Sequence, residues 1–145
     1  MAKELVVKKS LTIKAPASRV WEILTDPGHT TKYMFGCEVV SDWKIGGPLL
    51  WKGAADGVIY VKGNLLELDT ERLFRFTTFD PNSGMEDVPS NYSTVTIELT
   101  PVDGGAALSV TQGDFAGMAD GKNRFMSAKA GWDMVLPKIK EIAEQ

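Results

Sequence analysis

From residue 123 to the end of the chain, apolar side chains return at steps of three and four. Phe125, Ala128, Trp132, Val135, Leu136, Ile139 and Ile142 share one helical face, and Lys129, Asp133, Lys138, Lys140 and Glu144 fill the positions between them. The spacing predicts a long amphipathic helix over 123–145. Burying about six large side chains at about 1.5–3 kcal/mol each contributes on the order of 10 kcal/mol before chain entropy is subtracted. The helix should therefore form a main part of the core. Pro137 has no N–H for the carbonyl of Asp133 and predicts a bend, read either as a curve around a convex sheet or as a hinge.

Upstream the period drops to two. Over 5–14, Val7, Leu11 and Ile13 share a face with Lys9, and Lys8, Ser10, Thr12 and Lys14 share the other, the pattern of a half-buried strand. Ala15-Pro16 then opens a helix carrying Ala17, Val20, Trp21 and Leu24 to about Thr25. Asp26-Pro27 opens a second, short one to about Tyr33. Strands are predicted at 37–41, at 49–52 after the Gly46-Gly47-Pro48 turn, at 58–68, and at 73–79 after Asp69-Thr70-Glu71-Arg72.

The runs 93–100 and 107–113 form a hairpin around Asp103-Gly104-Gly105. Setting Leu99 opposite Leu108 places Ile97 opposite Val110 and Val95 opposite Gln112, and leaves Thr94, Thr96, Glu98 and Thr100 in water. Gln112 is the polar residue on the inner face. It is either an amide satisfied by its neighbours or a group that orients a ligand. One strand, two short helices, about six mostly consecutive strands and one long helix make an α+β fold, an antiparallel meander whose apolar face needs the last helix as its cover.

With 145 residues the chain is expected to be one domain, 1–145, large enough for a single core. A net charge of -3 argues against a nucleic-acid binder, whose affinity rests on a basic surface. No stretch approaches the roughly 20 apolar residues of a membrane-spanning helix, and Lys3, Glu4, Lys8 and Lys9 interrupt any signal-peptide core. Membrane insertion is not expected, and the location expected is cytoplasmic.

A single cysteine, Cys37, excludes an internal disulfide, and a single histidine, His29, leaves zinc and copper without their usual ligands. No metal and no cofactor are expected. Cys37 and His29 lack an orienting partner or local motif, so they are not read as a nucleophile pair, and His29 is expected in solvent. Glu67, Asp69 and Glu71 read as surface charges at a strand end, and Glu86-Asp87 as solvated. The loop around Glu86-Asp87, 79–91, is long for a meander connection and has the character of a lid or binding element.

Three stretches carry a resemblance. They are Ile13-Lys14-Ala15-Pro16 with Val20-Trp21 and Leu24-Thr25-Asp26; Trp43-Lys44-Ile45-Gly46-Gly47-Pro48 with Trp51; and Gly63-Asn64-Leu65-Leu66-Glu67 with Arg72-Leu73. Gly131-Trp132 and Leu136 complete it. With these motifs the chain resembles the START-like (SRPBCC) helix-grip superfamily. Within it the likeness is to small bacterial, polyketide cyclase-like proteins related to the C-terminal domain of the activator of the heat-shock protein 90 ATPase. Thr70 stands where many relatives have proline, a change of turn chemistry. The activator's additional chaperone-binding domain has no room in 145 residues, so a co-chaperone role is not expected.

The resemblance implies a helix-grip fold. In it a curved antiparallel sheet of about six to seven strands wraps around a long C-terminal helix, with two short helices after the first strand and a cavity between sheet and helix. Residues placed to line such a cavity are Trp43, Trp51, Tyr60, Phe74, Phe76 and Gln112 from the sheet, and Met126 and Trp132 from the helix. Each aromatic reads equally as core packing. The function expected is binding of a small hydrophobic molecule such as a lipid, with no catalytic residue assigned. The alternatives are a polyketide cyclase or aromatase-like enzyme on the same scaffold, or a protein-interaction module whose partner is a chaperone or a second copy of the chain.

Overall fold

In the computed structural model, which describes residues 4–145, the first alternating run becomes strand β1 (Val7–Ile13). Val7 and Ile13 point into the core and Lys8, Ser10 and Thr12 into water. Lys9 shares the inner face because it has a partner there, the carboxylate of Asp133, at 2.8 Å. Pro16 precedes helix α1 (Ala17–Thr25), its fixed φ of -65° already compatible with the helix that follows. Pro27 is the first residue of α2 (Pro27–Tyr33). The period of three and four in α1 puts Val20, Ile23 and Leu24 in the core.

The meander follows as β2 (Cys37–Ser41), β3 (Pro48–Gly53), β4 (Ile59–Asp69), β5 (Leu73–Thr78), β6 (Ser93–Val102) and β7 (Gly105–Gly113). All neighbours are antiparallel and form one seven-stranded sheet, β1-β7-β6-β5-β4-β3-β2. The β6–β7 register is Leu99 with Leu108, Ile97 with Val110 and Val95 with Gln112, as the side-chain pattern requires. Gly104 turns this hairpin with φ of 80°, a value glycine adopts without a Cβ clash. Register shifts between Trp51 and Lys52 and between Leu65 and Glu67 mark bulges, which bend strands and curve the sheet.

Helix α3 (Gly121–Ala143) closes the chain, starting two residues earlier than the apolar spacing suggests. Its first residue lies against the preceding turn, where a Cβ would come within 2.0 Å of the Phe115 carbonyl oxygen. Only glycine fits there. The helix runs on through Pro137, which deprives the Asp133 carbonyl of its usual donor.

The C-terminal half of α3 is firmly docked. Trp132, Val135, Leu136, Ile139 and Ala143 are buried, the Lys14 backbone N–H donates to the Glu144 carboxylate at 2.9 Å, and Arg19 donates to the Ile142 carbonyl at 3.3 Å. No helix among the described residues is long and apolar enough to cross a membrane.

Candidate functional site

The antiparallel register brings the start of β2, the end of β3, the start of β4, the end of β5, the start of β6 and the end of β7 to one end of the sheet. There the sheet and α3 border a cavity of about 940 Å³ that opens to solvent. That is near the upper end of the range for small-molecule sites, about 300–1,000 Å³.

The space exists because α3 changes character along its length. Its sheet-facing positions in the first half are Arg124, Ser127, Ala128 and Gly131, and in the second Trp132, Val135, Leu136 and Ile139. Ser127, Ala128 and Gly131 leave room in the first half that the large side chains of the second half fill. A Cβ added at Gly131 would meet nothing within 4 Å.

Trp51, Val61, Phe76, Phe79, Val95 and Phe115 supply the apolar wall. Phe76 rests on Phe74 with ring centroids 5.5 Å apart, and Trp51 lies 6.3 Å from Phe76. A polar cluster breaks this wall where the inner faces of β5, β6 and β7 end, at Thr78, Ser93 and Gln112. The Gln112 side-chain N–H₂ donates to Ser93 Oγ at 3.0 Å and to Thr78 Oγ1 at 3.4 Å, and its Oε1 accepts from Trp132 Nε1 at 2.8 Å.

The two hydroxyls are 2.7 Å apart and share a single hydrogen bond. Each hydroxyl has one proton, so one remains for a further acceptor. Gln112 is thus satisfied by its neighbours, and the hydroxyl pair beside it keeps a donor at the cavity wall.

The loop between β5 and β6 borders the cavity through Phe79, Asp80, Ser83 and Met85. Asp87 is exposed, as expected, and also ties this loop to β4. It pairs with Lys62 and accepts from Tyr92 Oη at 2.6 Å, while the Tyr92 ring stacks on Phe79 at 5.0 Å. The Lys62 ammonium, with help from Tyr92, holds the Asp87 carboxyl below its usual range, and Asp87 raises Lys62 in return.

Around Cys37 on β2, the rim carries Asp56 and Tyr60, joined by a short hydrogen bond. That bond lowers the carboxyl of Asp56 and raises the phenol of Tyr60, so the proton stays on tyrosine. Burial raises the Cys37 thiol, leaving it a poor nucleophile. His29 is half-buried rather than solvated: its Nε2 lies 3.6 Å from Glu22 and 3.8 Å from Asp26, and its Nδ1 has no partner among the described residues.

Of the residues placed from the sequence, Trp51, Tyr60, Phe76, Gln112 and Trp132 meet at this cavity. Phe74 lies one step behind, enclosed by Trp21, Trp43 and Phe76. Trp43 stands at the opposite end of the sheet, in a separate groove of about 160 Å³ with Trp21, Thr25, Leu68 and Thr70. Met126 is 54% exposed. At about 100° per residue it is about 200° around the helix from Ala128, which does line the cavity. Thr78, Ser93, Phe115 and Arg124 were not singled out by the sequence. The signal available for Arg124 was its position four residues before Ala128 and eight before Trp132, on the face that meets the sheet.

The model of the family described as "Activator of Hsp90 ATPase homolog 1-like protein" matches residues 14–144, and the chain belongs to that family. No curated protein sequence matches the chain. Among solved structures, the protein ChR145 from Cytophaga hutchinsonii is 33% identical, with 98% of this chain and 95% of that one covered and a TM-score of 0.76. The Aha1 dimer from Colwellia psychrerythraea is 13% identical, covers 96% of both chains and gives a TM-score of 0.74. DynU16, a protein of the dynemicin biosynthetic locus, is 16% identical with a TM-score of 0.75, covering 96% of this chain and 47% of that one. The last two are likenesses of fold.

Proposed function

We propose that this chain binds a small hydrophobic molecule in the cavity between the sheet and the first half of α3. The cavity itself carries the reading: about 940 Å³, aromatic and aliphatic over most of its wall, with one hydrogen-bonding cluster at Thr78, Ser93, Gln112 and Trp132. Apolar walls supply affinity through burial, and a few fixed polar groups set orientation.

Thermal unfolding against a panel of fatty acids, fatty alcohols, sterols and polycyclic aromatics, with tryptophan emission followed alongside, tests it. A ligand at about 100 times its dissociation constant adds about 2.7 kcal/mol of stability. The expected result is a raised midpoint with altered emission, lost when Gly131→Trp fills the space. A panel without effect, or effects equal in Gly131→Trp, would overturn the reading.

An enzyme on the same scaffold has one couple to draw on, Tyr60 and Asp56 at the rim. Their mutual hydrogen bond keeps each in its ordinary protonation state near neutrality, which favours binding over proton transfer. A second copy of the chain is the partner suggested by the likeness to a dimer and by the exposed positions Met126, Ala130 and Met134, four residues apart on α3. Sedimentation across a concentration series tests that, with Met134→Glu weakening any dimer.

A further inference from the structure

Arg124 is the arginine of the cavity wall, and no carboxylate among the described residues is in direct contact with it. It stands in the first turns of α3, half-buried, with its guanidinium carbon 5.8 Å from the centre of the Phe115 ring. Of its five N–H groups one has a protein acceptor, the Asn91 carbonyl, reached by Nη2. Its Nη1 is shut off from water and finds no acceptor among the described residues. No carboxylate among those residues lies within 4.0 Å of the guanidinium.

The acids that border the same cavity each hold another partner, and of them Asp120 acts on Arg124 from beyond contact distance. Asp56 bonds Tyr60, the Asp80 carboxylate accepts from the Asn82 backbone at 2.8 Å, and Asp120 accepts from the Asn123 amide at 2.8 Å. All three are exposed, so water screens them more than it screens Arg124.

A partly desolvated cation with most of its donors unspent costs free energy unless something pairs with it. The guanidinium fork matches a carboxylate in particular, through two parallel N–H···O bonds. Apart from the Thr78, Ser93 and Gln112 cluster and the acids at its border, most of the cavity wall is apolar. Resting on the proposed binding function, we propose that the ligand is a hydrophobic carboxylate, its acid group paired with Arg124 and its apolar body lying along α3 toward Trp132. From residue 124 to residue 132 the helix rises about 12 Å, room for a chain of several carbons or a fused aromatic system.

The test is calorimetric titration with two matched pairs of probes, dodecanoate against 1-dodecanol and 1-naphthaleneacetate against 1-naphthaleneethanol. The wild-type chain should bind at least one acid tenfold or more tighter than its alcohol. Arg124→Gln should lose that preference, binding acid and alcohol about equally. Arg124→Lys keeps the charge but not the fork, and should retain a smaller preference.

Equal affinity for acid and alcohol in the wild type overturns the inference and leaves the cavity reading standing, as does a preference that survives in Arg124→Gln. If Arg124→Gln does not fold, an acid preference in Arg124→Lys equal to that of the wild type or absent altogether overturns it too. Failure of all four probes to bind the wild type overturns both readings. The more responsive pair tells a chain-like ligand from an aromatic one.

Discussion

Gly131 offers a direct test of the empty space. Glycine inside a helix is less favourable than alanine by about 0.8–1.0 kcal/mol, and Gly131 lies mid-helix with nothing within 4 Å of a Cβ built on it. Gly131→Ala should therefore stabilise the chain by about 1 kcal/mol, with no clash to offset the gain. At about 2.1 cal/mol/K of unfolding entropy per residue, 145 residues give about 0.3 kcal/mol/K, so the midpoint should rise by about 3 °C.

Gly131→Trp places a large ring on the same face. Its midpoint should be at or above that of the wild type, while apolar probes lose at least tenfold in affinity. Differential scanning calorimetry and a fluorescence titration read the two effects. A fall in midpoint for Gly131→Ala would refute the reasoning, because it would mean the position is packed. So would Gly131→Trp that binds probes unchanged.

Other outcomes follow from particular contacts. Gln112→Leu leaves the Trp132 N–H unpaired and should cost about 1–3 kcal/mol in a urea titration. Phe74→Ala, which removes a buried ring packed against three other aromatics, should cost about 3–5 kcal/mol by the same assay. Asp87 has its folded carboxyl lowered from an ordinary value of 3.8, so its stabilising effect is fully present above that pH and is lost as pH falls through the lower folded value. The midpoint difference between wild type and Asp87→Asn should thus hold steady above pH 5 and shrink below about 3.8. A difference that grows toward acid would contradict the pairing with Lys62.

Much of the fold was legible because period is a local property. Alternation gave β1 and the β6–β7 register, and the three-four spacing gave α1 and the buried face of α3. The cavity was less legible because parity says which face a residue is on and not how far along that face it lies. Phe74 and Phe76 share a face two residues apart, yet only Phe76 reaches the cavity. Trp43 lies in the turn before β3, at the end of the sheet where α1 packs its Trp21 against Phe74.

Arg124 escaped notice for another reason. A charged residue on a helix is ordinarily a solvent-facing one, and the unpartnered Nη1 of Arg124 is a fact of three-dimensional arrangement. The pairing of Asp87, exposed as expected, escaped notice likewise: Lys62 and Asp87 are distant in sequence and meet only because the loop folds back on β4. Gly131, by contrast, stood in the sequence as part of a family-like motif. Its role as a gap in the helix face became visible once the sheet opposite was known.

The central claim is that the space beneath α3 receives an apolar molecule. The most direct measurement is a two-dimensional ¹H–¹⁵N spectrum of the labelled protein titrated with 1-naphthaleneethanol. The account predicts saturable shifts of the Trp132 indole N–H and the Gln112 side-chain amide, with neighbouring signals from Ser93 and Gly131, and no such shifts in Gly131→Trp. Signals at these positions that stay fixed through the titration, or shifts confined to exposed residues away from the cavity such as Ile45 and Met134, would contradict it.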